Sequence, residues 1–175
     1  MKLHALDLSS SVGSAIMERG RVPLFQTLRL DGDRAHMMGR FMVWLDEMHM
    51  VHAFDAIAWE RPIITPKDKV DKLEILYGLV GVAYAFAGKH KLPYCEVTIQ
   101  EAKFALTGRG NADKADMVAA AMIDCSGVEV EYIEDVDYFA LCVAALDAMP
   151  GGREAVVRAV VREWGYIPKD GEGEG

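Results

Sequence analysis

The sequence contains few cysteines, and none of them is spaced for binding zinc. Cys95, Cys125 and Cys142 are far apart and show neither a CxxC pair nor a Cys/His pattern. Isolated cysteines of this kind are typical of reduced, mostly buried thiols in a cytoplasmic protein. We therefore expect no structural zinc.

Long hydrophobic runs are absent too. The longest apolar run, LVGVAYAFAG, covers residues 79–88, whereas a membrane-spanning helix needs ~20 apolar residues. The first residues have the pattern of a strand containing Asp7 rather than that of a signal peptide. We expect neither a membrane span nor a signal peptide.

Length and composition indicate one compact domain. The chain has 175 residues, of which 51% are hydrophobic and 26% charged, enough for a sizeable core. The segment 168–175 is rich in glycine and acidic residues and is too polar to pack. We predict a folded domain over residues 1–167 and a disordered acidic tail over residues 168–175.

The periodicity predicts an α/β protein. Three strands, at residues 2–8, 14–19 and 22–30, are expected to form an antiparallel meander. A helix capped by Asp33 follows, with Ala35, Met38, Phe41, Met42 and Leu45 at helical spacing. Its methionines are interpreted as core filling, and His49 with His52 as part of the helix surface or its end rather than a metal pair.

A βαβ unit follows the meander. The short apolar strand AIAWE ends at Glu60, and a long helix over residues 68–87 has Asp68 as its expected cap. The strand LPYCEVTI and a short helix ending at Gly108 come next. The order βββαβαβ, followed by further helices, predicts a mixed five-stranded sheet with helices on both faces. The long helix has apolar positions at helical spacing, namely Val70, Leu73, Leu76, Tyr77, Val80 and Tyr84.

Four acidic residues stand at the ends of predicted elements. Asp7 ends the first strand, Glu60 ends the buried strand AIAWE, and Glu134 with Asp137 lies on the first turn of a late helix. Carboxylates in these places can converge and hold divalent metal ions, which can hydrolyse phosphodiesters. Each of these residues also has a structural explanation. Asp7 can form a turn, and Glu60 can form a salt bridge with Arg61 or a nearby lysine. Glu134 and Asp137 can be acids that the helix dipole favours at a helix N-terminus.

A basic loop is the second candidate. In LTGRGNADKADM, Arg109 and Lys114 lie beside backbone amides that suit phosphate contacts, and Lys103 and Asn111 complete the predicted DNA-binding set. The alternative is a helix cap provided by Asp113 and a solvated turn. The net charge of −8 argues against a nucleic-acid partner at face value, but the tail contributes −2 and the four acids −4. Two bound divalent cations would offset those acids, so charge does not decide the question.

Together these motifs resemble the RuvC-type Holliday junction resolvases. The resemblance rests on Asp7, on Glu60, on YGLVGVAYAFAG, on TGRGNADKADM and on DVDYFALCVAA, and it covers nearly the whole chain. It implies a ribonuclease H-like fold and two Mg²⁺ ions, replaceable by Mn²⁺, held by Asp7, Glu60, Glu134 and Asp137. It also implies a homodimer that acts on four-way and other branched DNA, with Lys114 as a catalytic contact to the DNA backbone.

The chain departs from the family pattern in three places. Glu134 stands where the family commonly has aspartate, which leaves Asp135 as an alternative ligand. DLSSSVG and WERP replace the usual contexts of Asp7 and Glu60. These departures suggest a distant branch of the family, one that a phage could carry. The expected location is the cytoplasm of a bacterial or phage-infected cell.

The function we predict is a metal-dependent endonuclease that nicks Holliday junctions and leaves 5′-phosphate ends. An actin-like or hexokinase-like ATP-binding protein is the first alternative, because an Asp, small loop and Gly hairpin also cradles phosphate. The second is an inactive DNA-binding or scaffold protein of the same fold. The small residues of helix 68–87 are a candidate dimer surface, or else pack on the protein's own sheet, and Phe25, Tyr77 and Tyr84 are candidate junction wedges.

Overall fold

The computed structural model describes residues 2–18, 24–113, 115–117 and 119–120. Five strands form one sheet in the order β3-β2-β1-β4-β5. Strand β1 pairs antiparallel with β2, and β2 with β3, while β4 runs parallel to β1 and to β5. The predicted mixed five-stranded sheet is confirmed. The elements are β1 (Lys2–Asp7), β2 (Ser11–Glu18), β3 (Leu24–Arg29), α1 (Arg34–His52), β4 (Ala56–Glu60), α2 (Val70–His90), β5 (Tyr94–Val97) and α3 (Ile99–Thr107).

Helix α1 begins where the sequence predicts. The Asp33 side chain accepts a hydrogen bond from the His36 backbone N–H at 2.9 Å, so Asp33 is the N-cap. The helix ends at Ala53, whose left-handed φ of 48° lets its N–H reach the carbonyl of His49. Its buried side is the expected one at Phe41 and Leu45, but Ala35 is exposed. The methionine prediction holds in part, since Met37 and Met48 are buried, Met38 and Met42 are partly buried, and Met50 is 78% exposed.

The start of α2 differs from the prediction. Its N-cap is Lys69, which makes no side-chain capping bond. The Asp68 carboxylate instead accepts hydrogen bonds from the backbone N–H and the hydroxyl of Thr65, at 2.7 and 2.8 Å, and pairs with Lys72. Asp68 as the cap was therefore wrong, because its short side chain closes the preceding turn rather than the helix.

The orientation of α2 was also predicted only in part. Val80 is buried as expected, but Val70, Tyr77 and Tyr84 are 68%, 47% and 39% exposed. The buried face consists mainly of neighbouring positions, namely Leu79, Val80, Ala83, Phe86 and Ala87. Because α2 is apolar around much of its circumference, periodicity alone does not select the face that meets the sheet.

The glycines of α2 serve different neighbours. A Cβ on Gly78 would lie 2.9 Å from Sδ of Met38 on α1, so Gly78 permits close packing within the chain. A Cβ on Gly81 or Gly88 would meet nothing within 4 Å. Gly78 is thus turned toward α1 rather than toward the sheet, and the dimer surface stays a prediction.

Helices α1 and α2 cover one face of the sheet. Apolar side chains of β1, β2 and β4 that point to this face, such as Leu6, Ile16 and Trp59, join the main core cluster. Side chains of the opposite face, including Leu3, Ala5 and Ala58, are also fully buried. The sheet is therefore covered on both sides. Within the described residues, no helix combines the length and apolar character needed to cross a membrane.

Candidate functional site at the carboxyl ends of β1 and β4

Asp7 and Glu60 are brought together by the parallel pairing of β1 and β4. Ala5 is in register with Ala58 and Leu6 with Trp59, so Asp7 and Glu60 come next to each other at the ends of these strands. Both lie two residues beyond an alanine of the same face, and side chains alternate along a strand. Since neighbouring strands are ~4.8 Å apart, the two carboxylates stand side by side.

The residues in register with this pair differ in size. Asp7 is in register with Gly13 of β2, which has no side chain, and Glu60 with Val97 of β5. The loop after Asp7 is compact, because the Ser9 hydroxyl donates to the Ser11 carbonyl at 2.7 Å and accepts from the Ser11 N–H at 3.1 Å. The turn after Asp7 is thus held by its own serine, and both carboxylates are half-buried.

The donor chemistry of this pair fits a hard divalent cation. Carboxylate oxygens are the preferred protein ligands of Mg²⁺, and adjacent carboxylates gain from a shared cation. Within the described part of the chain, no group of three or more His, Cys, Asp or Glu side chains is arranged to hold a metal. Glu134, Asp135 and Asp137 lie outside the described residues, so the four-ligand set stays a prediction.

The described part of the basic loop after α3 is held by helix-capping contacts. Helix α3 begins with a capping box between Thr98 and Glu101 and ends at Gly108, whose φ is 72°. Downstream, the Asp116 N–H donates to the Asp113 carboxylate at 2.9 Å, which is the capping role foreseen for Asp113. The described part of the loop therefore agrees with the structural interpretation, in which Asp113 acts as a cap.

The predicted DNA-binding residues of this region have different surroundings. Lys103 is partly buried, and its Nζ donates to the Ala112 carbonyl at 2.7 Å, so it holds the loop against α3. Arg109 is 61% exposed and pairs with Asp116 at 2.8 Å. Asn111 is exposed, whereas Lys114 lies outside the described residues. The DNA contacts of this loop stay predictions, with Arg109 and Asn111 accessible and Lys103 committed to the fold.

One cluster beside the carboxylates was not foreseen. Arg61 was considered as a partner of Glu60, but its Nε donates to Glu96 on β5 at 3.2 Å. Glu96 also accepts from Trp59 Nε1 at 3.2 Å and from the Tyr84 hydroxyl at 2.8 Å. Burial alone would raise the pKa of Glu96, but the hydrogen bonds from Tyr84, Trp59 and Arg61 lower it overall. The alternation of β4, with Trp59 and Arg61 on one face, was the available signal.

The histidine pair on α1 has no metal-like arrangement. The His49 ring packs edge-on against Phe54 and Phe86, and the His52 carbonyl accepts a bond from Lys2 Nζ at 2.6 Å. The helix-end interpretation of these residues agrees with this geometry. They lie near the start of β1, at the opposite end of the sheet from Asp7.

The fold and site define a ribonuclease H-like α/β domain with a carboxylate pair at the end of its central strands. Among solved structures, RuvC of Thermus thermophilus in complex with a Holliday junction substrate is similar at 15% identity and a TM-score of 0.68, covering 82% of this chain and 92% of that one. A further Thermus thermophilus RuvC structure is 14% identical with a TM-score of 0.69, covering 94% and 97%.

A eukaryotic protein has the same architecture. The yeast mitochondrial Holliday junction resolvase is 12% identical, with a TM-score of 0.58 over 81% of this chain and 76% of that one. No protein-family model matches the sequence, and no curated protein does. At these identities the likeness establishes the fold, and the chemistry has to be argued from the residues.

Proposed function

We propose that this protein is a metal-dependent endonuclease that nicks four-way DNA junctions and other branched DNA, leaving 5′-phosphate ends. The observation that carries the proposal is the placement of Asp7 and Glu60 side by side at the ends of β1 and β4. Its support is the shared fold with RuvC, a structure of which holds a Holliday junction substrate.

In this proposal the chain's acidic residues form a cation-binding edge. Asp7 and Glu60 contribute two carboxylates, and Asp137 with Glu134 or Asp135 contributes the others. Two Mg²⁺ ions, or Mn²⁺ in their place, would supply an activated water and neutralise charge on the leaving 3′ oxygen when bound. In this proposal the sugar–phosphate backbone reaches the carboxylates at the ends of β1 and β4, and Lys114 neutralises the phosphate.

A dimer follows from the substrate's symmetry. Cutting both sides of a four-way junction symmetrically requires two sites, which a two-fold homodimer provides. Gly81 and Ala85 of α2 face outward, so this stripe of the helix is the accessible remainder of the candidate dimer surface. A bacterial or a phage origin is compatible with the proposal.

The test is cleavage of labelled DNA by amide variants. Asp7→Asn and Glu60→Gln keep the size of each side chain but remove the charge that holds a cation, and cleavage of a four-way junction in Mg²⁺ should fall at least ~100-fold. Glu47→Gln, an exposed carboxylate of α1, is the matched control and should cut normally. Junction binding in EDTA should stay within a few-fold for all three variants.

Other substrates separate the alternatives. Three-way, flap and linear duplex DNA show whether cutting depends on branching. Normal cleavage by Asp7→Asn would refute the site assignment. Tight junction binding by the wild-type protein without cleavage in Mg²⁺ or Mn²⁺ would identify it instead as an inactive DNA-binding protein of this fold.

A further inference from the structure

Arg61 stands directly after Glu60, on the other side of the same sheet edge. Strand alternation directs Glu60 to one face and Arg61, with Trp59, to the face covered by α2. The Arg61 N–H donates to the Val97 carbonyl at 2.8 Å, which continues the β4–β5 pairing one residue beyond Glu60. The backbone at Arg61 is thus fixed beside the carboxylate pair.

The Arg61 side chain is fixed as well. Glu96 receives the Arg61 Nε at 3.2 Å, and hydrogen bonds from Trp59 and Tyr84 hold the Glu96 carboxylate in turn. Aromatic packing surrounds this carboxylate, since Trp59 stacks on Tyr94 with ring centroids 5.4 Å apart and meets Tyr84 edge-on at 4.9 Å. The hydrogen bond to Glu96 restricts the rotamers of this long arginine before a ligand binds, which reduces the entropy cost of binding.

The part of the Arg61 guanidinium that does not contact Glu96 is available to a ligand. The Arg61 side chain is 58% exposed, against 21% for Glu96. The hydrogen bond from Arg61 to Glu96 uses Nε, so it leaves the two Nη groups outside this pair. Hydrogen bonds that the Thr98 backbone and side chain donate to Glu101 lower the pKa of that carboxylate, and the charge of Arg61 also contributes to this lowering. An arginine is always protonated, and its Nη fork matches the oxygens of a phosphate.

An ordinary surface ion pair is the competing explanation, and it accounts for one nitrogen of Arg61. Trp59 and Tyr84 both donate to Oε1 of Glu96 and hold the carboxylate in place. Arg61 donates through Nε to the other oxygen, Oε2, so Arg61 and Glu96 orient each other. The pair therefore sets the direction of the guanidinium without using its Nη groups.

We propose that Arg61 binds a phosphodiester oxygen of the DNA strand that passes the edge formed by Asp7 and Glu60, and that Glu96 is its positioning residue. This inference rests on the proposed nuclease function and adds a cationic contact on the α2 side of the edge. It assigns to the WERP sequence a role in phosphate binding rather than a salt bridge within the site.

The first test is the salt dependence of junction binding, measured in EDTA so that no cleavage occurs. Arg61→Gln should lower the slope of log affinity against log salt by about one and weaken binding about tenfold at low salt. Arg61→Lys should retain most of the slope, because the charge is kept. Lys89→Gln is the matched control: Lys89 is 54% exposed, pairs with Asp46 and lies at the far end of α2, so its slope should not change.

The second test separates positioning from simple charge. If Glu96 acted only as a negative charge near DNA, Glu96→Gln would tighten binding. If Glu96 orients Arg61, the same change should weaken binding severalfold while the salt slope is kept. Thermal melts of both variants would show that the fold is intact.

The outcomes distinguish this inference from the function on which it rests. An unchanged salt slope for Arg61→Gln, in a protein that binds junctions and loses cleavage with Asp7→Asn, overturns the role of Arg61 alone. Tighter binding by Glu96→Gln overturns the positioning role. Wild-type protein that neither binds nor cuts junctions overturns the proposed function itself.

Discussion

Acid should destabilise this protein through a histidine in the middle of its sheet. His4 on β1 is fully buried, with its ring 4.7 Å from that of Phe54 and 5.6 Å from that of Trp44. Its Nε2 lies 2.8 Å from the Ser14 hydroxyl, whereas its Nδ1 has no hydrogen-bond partner. Burial, and to a smaller degree the proximity of His52 and His49, lowers the pKa of His4 from 6.5 to about 3.

The sign and size follow from proton linkage. The unfolded chain binds a proton at His4 below pH 6.5, while the folded protein does not until pH approaches 3. The stabilisation is therefore complete above pH 6.5 and is lost as pH falls. Between pH 7 and pH 5 the free energy of unfolding should drop by about 2 kcal/mol from His4 alone.

Other titratable groups near this end of the sheet change little the pH range over which stability is lost. Burial also lowers the pKa of His49, with a further contribution from His90, so His49 adds to the loss in the same direction. The Asp46 carboxylate has its pKa lowered by hydrogen bonds from Lys89 and His90. Its contribution is lost only as pH falls through the unfolded value of 3.8, below the window considered.

The assay is urea unfolding followed by circular dichroism at pH 5, 6 and 7. The variant is His4→Leu combined with Ser14→Ala, which removes both partners of the hydrogen bond and leaves no unsatisfied hydroxyl. It should lose about 2 kcal/mol less than the wild type between pH 7 and pH 5. His36→Gln, at an exposed histidine of α1, is the control. Equal pH dependence in the wild type and the double variant would refute the reasoning.

Two further predictions concern helix stability and are measurable by the same unfolding assay. Gly39→Ala, in the interior of α1, should stabilise the protein by about 0.5–1 kcal/mol, because alanine is the better helix former and its Cβ meets nothing within 4 Å. Gly78→Ala should gain less, since Met38 must move, and an equal gain would show that the α1–α2 contact is loose. Thr98→Ala should cost about 1 kcal/mol through loss of the α3 capping box, and no change would mean that Glu101 alone holds that helix start.

The fold was predictable because its signals are local. The short run AIAWE, bounded by loops, identifies β4, and Asp33 marks the start of α1 as predicted. The sequence misplaced the start of β2, which begins at Ser11 rather than Ser14. Serine and glycine are weak strand formers, and these residues become a strand because they pair with β1 and β3.

The sequence predicts the site residues whose position depends on a single strand. Asp7 and Glu60 each end an apolar strand, where a buried charge is costly unless it is paired or binds a metal ion. Strand alternation predicts that Trp59 and Arg61 share a face, but their link to Glu96 depends on the register that sets Trp59 opposite Glu96, which the sequence alone does not provide. Lys103 was expected to face DNA, and only the fold of its loop shows that its Nζ is held by a carbonyl.

The sheet order has a consequence for how the protein gains activity after synthesis. Strands β1, β2 and β3 pair with sequence neighbours, whereas β1 meets β4 only after a chain of roughly fifty residues has been closed into a loop. The meander and the helices can form without this step, but the carboxylate pair cannot. Recovery of the proposed nuclease activity after dilution from denaturant should therefore lag behind recovery of helical signal, so that activity would report the kinetics of the long-range parallel pairing.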